Sequence, residues 1–327
     1  MVGPESPQST DTSPQSSAGS PDDAHAPQET PGPVRDVDLS PIGRTLLITL
    51  WARAAESRRP DAIRVDRSAE RLLGRIDHDF DRYRGGWKSQ IGVAVRGRCL
   101  DRAVDAFVAD HPGGLIVDLG CGLDGRPREA AGSSDRSRVD WLMVDRPDVL
   151  AVRRRLMPPL PHETLFAGDA AGPEWMERAR AFGDRPRLLI AEGVLMFLPE
   201  ADVRRMWSSI ADQLPGTEGI FDVIGRLMIR VPALHDTLPA TGVRFAWGWR
   251  GRADLDRWDP RARVTEVRPM VGEGGARWKW MRALRWVPPI RDQFVVLRVS
   301  FGDRPDLAAG HGAAGRATAT ADRPPAM

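Results

Sequence analysis

Cysteine is scarce in this chain. Cys99 falls in a helical pattern and Cys121 in a glycine turn, which excludes a disulfide framework. No Cys/His spacing has the form of a zinc site, so no metal is expected. Lysine is nearly absent too: Lys88 and Lys279 stand alone, and arginine carries the remaining basic charge. With 47 basic and 45 acidic residues interleaved, the formal charge is only +2. A nucleic-acid partner would need a one-sided basic stripe, and none is expected here. No run approaches the roughly 20 apolar residues of a membrane span, so a membrane partner is not expected either. The N-terminus lacks the basic and apolar regions of a signal peptide. The reading is a cytoplasmic protein that handles a small molecule, with no internal repeat and no oligomeric state readable from sequence.

What is present suffices for one sizeable core or two small ones: 327 residues, 41% of them hydrophobic. Residues 1–38 are rich in Pro, Ser, Asp and Thr and are expected to be a disordered tail. Residues 303–327, rich in Gly and Ala, are expected to be another. Between them lies the folded part, 39–302. It opens on helices: Pro41–Ser57, with Leu46, Leu47, Leu50 and Trp51 at helical spacing and Pro60 as its stop; Ser68–Ile76; and Lys88–Asp110. Residues 39–112 are therefore expected to form a helical lid.

From Leu115 the periodicity alternates. Strands are predicted at 115–119, 139–144, 164–167, 188–191 and 219–224, with helices at 147–157, 173–182 and 199–214. That alternation means βαβ units and an α/β fold with a mostly parallel sheet, covered by helices on both faces. Residues 225–290 are irregular and are expected to form a cap, with a short helix at 253–258, a strand at 263–267 and helical spacing over 278–286. An alternating strand follows at 294–301, and one strand of this terminal pair is expected to enter antiparallel at the sheet edge.

The first strand runs into Asp118-Leu119-Gly120-Cys121-Gly122-Leu123-Asp124-Gly125-Arg126. Gly120, Gly122 and Gly125 spell the dinucleotide fingerprint, with Asp145 some twenty residues on. The same turn also serves S-adenosylmethionine. Asp118 favours the second ligand, since a carboxylate there suits a cation and repels a pyrophosphate. The residues after the turn, Arg126-Pro127-Arg128-Glu129, also lack the smooth helical pattern a pyrophosphate site uses. Asp145 serves a ribose in either scheme. Asp169, just past the third strand, is placed to meet an adenine or to cap the following segment. Glu192 closes the fourth strand between two apolar runs, where an unpaired acid is costly. An NAD-type oxidoreductase and a non-catalytic binding protein of the same fold stand as the alternatives.

Four stretches in order now carry a resemblance: Thr45–Ala62, Val95-Arg96-Gly97-Arg98-Cys99-Leu100-Asp101, Asp118–Arg126, and Leu189-Ile190-Ala191-Glu192-Gly193-Val194-Leu195-Met196. Over residues 40–300 the chain resembles the leucine carboxyl methyltransferase-like group, in its bacterial polyketide O-methyltransferase branch. The resemblance implies a Rossmann-like class I methyltransferase with a seven-stranded sheet, an N-terminal lid and an inserted cap. It implies Arg96 on the donor's carboxylate, with Arg98 as second choice, Gly120 and Gly122 beneath the amino-acid end, Asp145 on the ribose, Asp169 on the adenine and Glu192 at the pocket border. Arg53 would match a basic lid residue. One departure stands out: the family's Gly-x-Gly-x-Asp-Thr-Arg has Gly125 in place of Thr and Pro127 in place of an aromatic, so the following helix start is expected to sit differently. His235 in the cap is the expected base if the acceptor needs one, ahead of His78. Trp247, Trp249 and Met196 are expected to line a pocket for a flat aromatic acceptor, and Trp278 and Trp280 to serve packing.

Overall fold

A computed structural model describes residues 39–129, 135–231, 236–237, 241–279 and 281–302, together with Gly3 and Val34. The two tails expected to lack order lie outside these residues but for Gly3 and Val34. Val34 is buried and forms a parallel bridge with Ile76.

Seven strands form one sheet: β1 Leu115–Leu119, β2 Asp140–Asp145, β3 Glu163–Ala167, β4 Arg187–Ala191, β5 Thr217–Ile224, β6 Ala262–Pro269 and β7 Phe294–Phe301. Their order is β3-β2-β1-β4-β5-β7-β6, with the first five parallel. β7 runs antiparallel to both of its neighbours, so the reversed strand lies one place inside the edge and β6 is the edge strand. β1 and β4 are buried at all five positions, which explains why they read as apolar runs but for Asp118 and Arg187. The chain turns outward in opposite directions from β1 and β4. A ligand cleft is expected beyond the carboxyl ends of these two strands.

The helices are α1 Thr45–Ser57, α2 Arg67–Leu73, α3 Trp87–Asp110, α4 Pro147–Leu156, α5 Glu174–Arg180, α6 Glu200–Gln213, α7 Arg226–Arg230, α8 Arg252–Leu255, α9 Met281–Leu284 and α10 Pro288–Arg291. Local chemistry sets several starts. The Asp66 carboxylate accepts from the Ala69 N–H at 2.7 Å and caps α2, and Pro147 opens α4, where its missing N–H costs nothing. On one face of the sheet, α5 and α6 bring Trp175, Met206, Trp207 and Ile210 into one core with Val117, Leu119, Leu189 and Phe221. Trp207 is fully buried, its ring centroid 5.2 Å from those of both Phe221 and Phe301. On the other face, Val95, Leu100 and Val104 of α3 pack on Ile116, Trp141, Leu188 and Ile220. α3 is therefore a core helix, and α1 and α2 pack into a further apolar cluster with Val93 of α3 and Val149 of α4. No helix among the described residues is long and apolar enough to cross a membrane.

Candidate active site

A cavity of about 1020 Å³ opens beyond the carboxyl ends of β1, β2, β4 and β5, roofed by α1, α7 and the 270–294 segment. Its floor begins with the glycine turn. The Gly120 and Cys121 N–H groups donate to the Val144 carbonyl at 2.8 and 3.1 Å, pinning the turn to β2. Gly120 has φ +67°, and a Cβ there would run into Val194, so both backbone and space demand glycine. The Gly122 N–H donates to Asp145 Oδ2 at 2.7 Å, and Asp145 Oδ1 accepts from the Arg146 N–H at 2.7 Å. Burial pushes the Asp145 carboxyl up, against these two hydrogen bonds.

Gly125 is explained by a neighbour rather than by its own dihedrals. Its φ is an ordinary −94°, but a Cβ would lie 2.5 Å from Ser68 Cβ, at the start of α2. Directly after it comes a single turn of 3-10 helix, Arg126–Arg128. That turn buries the Arg126 guanidinium, which reaches Asp101 at 2.7 Å, Asp124 at 2.8 Å and Glu192 at 2.5 Å. Arg153, fully buried on α4, supports the turn from below by donating to the Gly122 and Asp124 carbonyls at 3.2 and 2.8 Å.

Glu192 sits between two arginines. Its Oε1 accepts from Arg96 Nε at 3.0 Å and its Oε2 from Arg126 Nη2 at 2.5 Å. Burial alone would raise its carboxyl, but the Arg126 and Arg96 guanidiniums override that and hold it well below the usual range. Arg96 is also paired with Asp222 at 3.2 Å, and Asp222 in turn accepts from the Gly193 N–H at 2.6 Å. Burial raises the Asp222 carboxyl against the pull of Arg96. Asp118 is the odd member. It is 2% exposed, its Oδ2 has no partner, and burial together with Asp124 pushes its carboxyl well up.

Most sequence-predicted donor residues converge here: Arg96, Asp118, Gly120, Gly122, Asp145, Asp169 and Glu192 all line the cavity. Asp169 also accepts from the Ala171 N–H at 2.9 Å, so it lies on the cavity wall and caps at once. Arg53 lines the cavity from α1, held by Asp66 and the Leu123 carbonyl, both at 3.0 Å. Arg98 does not belong. Its guanidinium donates to the Glu273 carbonyl at 2.6 Å, away from the cavity.

The acceptor side needs more correction. Met196 lines the cavity as expected, but Trp247 and Trp249 are core residues. Trp247 packs on Trp258 at 5.7 Å between centroids, and Trp249 Nε1 donates to the Asp292 carbonyl at 2.8 Å. The cause is the backbone: the Trp249 N–H donates to the Ile224 carbonyl at 2.9 Å, which lays this segment beside the end of β5. Phe245, paired with Phe197 at 5.3 Å, faces the cavity in their place, as do Trp278 and Phe294. His78 does not line the cavity and stacks on Tyr83. His235 and Trp280 lie outside the described residues. Asp222, Arg126, Asp124 and Asp101 were not singled out from sequence. Asp222 carried a usable signal, an acid inside the apolar run of β5.

Among the described residues no group of three or more His, Cys, Asp or Glu side chains is placed to hold a metal ion. Residues 46–211 match the family model described as leucine carboxyl methyltransferase. The chain is 33% identical over 271 residues to the tetracenomycin polyketide synthesis O-methyltransferase TcmP of Streptomyces glaucescens, covering 81% of this chain and 98% of that protein. It is 28% identical over 249 residues to the S-adenosyl-L-methionine-dependent methyltransferase dpfgK of Gibberella zeae, covering 70% and 83%. The solved structure of a DUF574-family protein from Streptomyces avermitilis shares the fold with a TM-score of 0.50 at 13% identity, over 78% of this chain and 96% of that one. The dinucleotide reading of the glycine turn falls with these matches. The chain belongs to the leucine carboxyl methyltransferase family of S-adenosylmethionine-dependent methyltransferases.

Proposed function

We propose that this enzyme methylates an oxygen, a carboxylate or a phenol, of a small aromatic acceptor of the polyketide kind. The observation that carries the proposal is the cavity's two-sided lining: a charged floor built from strand ends continues into a wall of Met196, Phe197, Phe245 and Phe294. A flat apolar acceptor suits that wall. The kinship with an O-methyltransferase of polyketide synthesis points the same way.

The floor fits the methyl donor. Asp118 offers a buried carboxylate oxygen without a partner, and a cation beside it would restore its ionised form. Arg96 would hold the donor's carboxylate. Gly120 and Gly122 give the backbone close approach, Asp145 would take the ribose hydroxyls, Asp169 the adenine amine, and Glu192 borders the site. When bound, S-adenosylmethionine supplies a methyl group on a positively charged sulfur, open to in-line displacement. The protein's share is then placement: the aromatic wall orients the acceptor and keeps water away, so that proximity supplies much of the rate. A carboxylate acceptor is ionised at neutral pH and needs no base. A phenol, with a pKa of about 10, benefits from one, the role that falls to His235.

The test is transfer of labelled methyl from the donor to a panel of aromatic acids and phenols. A methyl ester releases its label in alkali and an aryl ether keeps it, so the product distinguishes the two acceptors. Label found only on protein or nucleic acid would overturn the proposal.

A further inference from the structure

Residues 274–291 are one-sided in a chain whose charges are otherwise interleaved. They hold Arg277, Lys279, Arg282, Arg285 and Arg291 with no acid among them, and also Trp278, Trp280 and Trp286. The cavity uses only the inner side of this strap. Trp278, Met281 and Ile290 line it, and Arg277 is tied down by Glu56 at 3.0 Å and Asp61 at 3.3 Å. The outer side is left over. Lys279, Arg282 and Arg285 are exposed and make no ion pair among the described residues. Trp286 is 78% exposed and Val287 40%, with the Arg285 guanidinium 5.3 Å from the Trp286 ring centroid.

The same character continues around the cavity mouth. α7 lies against the end of the strap, the Gly225 N–H donating to the Gln293 carbonyl at 2.9 Å, and it exposes Arg226, Leu227 and Arg230. Six large apolar side chains are exposed among the described residues, and five of them, Trp87, Leu227, Val231, Trp286 and Val287, stand on or beside elements that frame the cavity. Exposed apolar surface so concentrated marks an interaction site rather than ordinary scatter.

We infer that this face docks on an anionic lipid surface, with Trp286 and Val287 entering the headgroup boundary and Lys279, Arg282 and Arg285 meeting lipid phosphates. A peripheral contact of this kind needs no spanning helix. The apolar side chains stand at the start of α3, on α7 and between α9 and α10, so they offer no single stripe to a partner helix or strand. A nucleic acid would answer the cations but leave Leu227, Val231 and Val287 in water. A bilayer boundary satisfies both, since tryptophan seats its ring there and basic side chains gain from the surface charge beside it. Docking would bring the cavity mouth to the lipid, where a flat apolar acceptor concentrates. That consequence alone rests on the proposed function.

Co-sedimentation of the full chain with lipid vesicles tests it and needs no acceptor. Vesicles of equal parts phosphatidylcholine and phosphatidylglycerol are expected to pull the protein down. Vesicles of phosphatidylcholine alone are expected to bind it at least about ten-fold more weakly, and added salt to release it from the anionic ones. R282Q combined with R285Q is expected to weaken partition by about 30-fold, the loss of two cations at the surface. W286A is expected to weaken it by about ten-fold. Both variants are expected to bind S-adenosylhomocysteine in calorimetry as the unaltered protein does. Protein that stays in solution with the anionic vesicles overturns the proposal, as does partition that both variants leave unchanged. Capture by polyglutamate or by single-stranded DNA, without partition onto vesicles, overturns it too and assigns the face to an acidic protein or a nucleic acid. Should a variant lose S-adenosylhomocysteine binding, the dependence of the unaltered protein on lipid charge and salt decides. None of these outcomes involves methyl transfer, so the proposed function stands or falls separately.

Discussion

The two halves of the cavity are built by opposite means. The charged half, proposed as the donor half, stands on the ends of β1, β2, β4 and β5, whose positions are fixed by ladder hydrogen bonds on both sides. Its side chains are charged, buried and interlocked, so that moving one leaves another unpaired. The apolar half, proposed as the acceptor half, stands on short helices and loops, α7, α9, α10 and the 245 segment. Dispersion contacts are many and individually small, so such a wall tolerates change where the charged floor does not.

The comparison can be broken most directly at Arg126. R126A removes a guanidinium that is 3% exposed and leaves the buried Asp124 without an ion-pair partner among the described residues, while Asp101 keeps Arg64 and Glu192 keeps Arg96. Breaking a buried ion pair of this kind is expected to cost about 3–5 kcal/mol in urea unfolding. A comparable loss from F245A would erase the distinction between the halves. On the acceptor side, F245A is expected to raise the acceptor's KM by about ten-fold while donor affinity stays within about two-fold, measured by separate titrations. A parallel loss in donor affinity would mean that the halves are one unit.

The smallest effect sharpens the picture at the margin of the floor. Burial and the neighbouring Asp66 carboxylate push Glu129 up to about 7, against the pull of Arg64. The folded-state value thus lies above that of a carboxyl in the unfolded chain, about 4.3. Any stability tied to the bound proton is complete below about pH 4 and is lost as pH rises through 7. E129Q is therefore expected to stabilise the protein by about 1–2 kcal/mol at pH 8 and to bring no gain near pH 4.5, read from urea midpoints at the two pH values. A gain that does not change with pH would show that Glu129 carries no such penalty.

Much of the donor half was legible because its signals are local. Asp118, Asp145 and Glu192 each stand at the end of an apolar run, and burying an acid without purpose is costly, so the sequence marks them. The same logic applied to β5 would have marked Asp222. Arg98 was the false lead: two residues from Arg96 on one helix, it faces away, because helix neighbours at that spacing do not share a face. The acceptor half misled more. Trp247 and Trp249 looked free in an irregular segment, yet one backbone hydrogen bond to Ile224 turns both into core.

By itself, the sequence determined the alternation of strand and helix, the glycine turn after β1 and the acids that close the strands. Each of these is written within a few residues, as periodicity, as a backbone conformation or as the cost of burying a charge. Only the tertiary structure decided that β7 lies between β5 and β6, that Gly125 is required by Ser68 of α2, which arginine meets which carboxylate, and which aromatic rings face the cavity. These depend on contacts between segments far apart in the chain. A pairing across 66 residues, such as that of Arg126 with Glu192, leaves no mark on the residues around either partner.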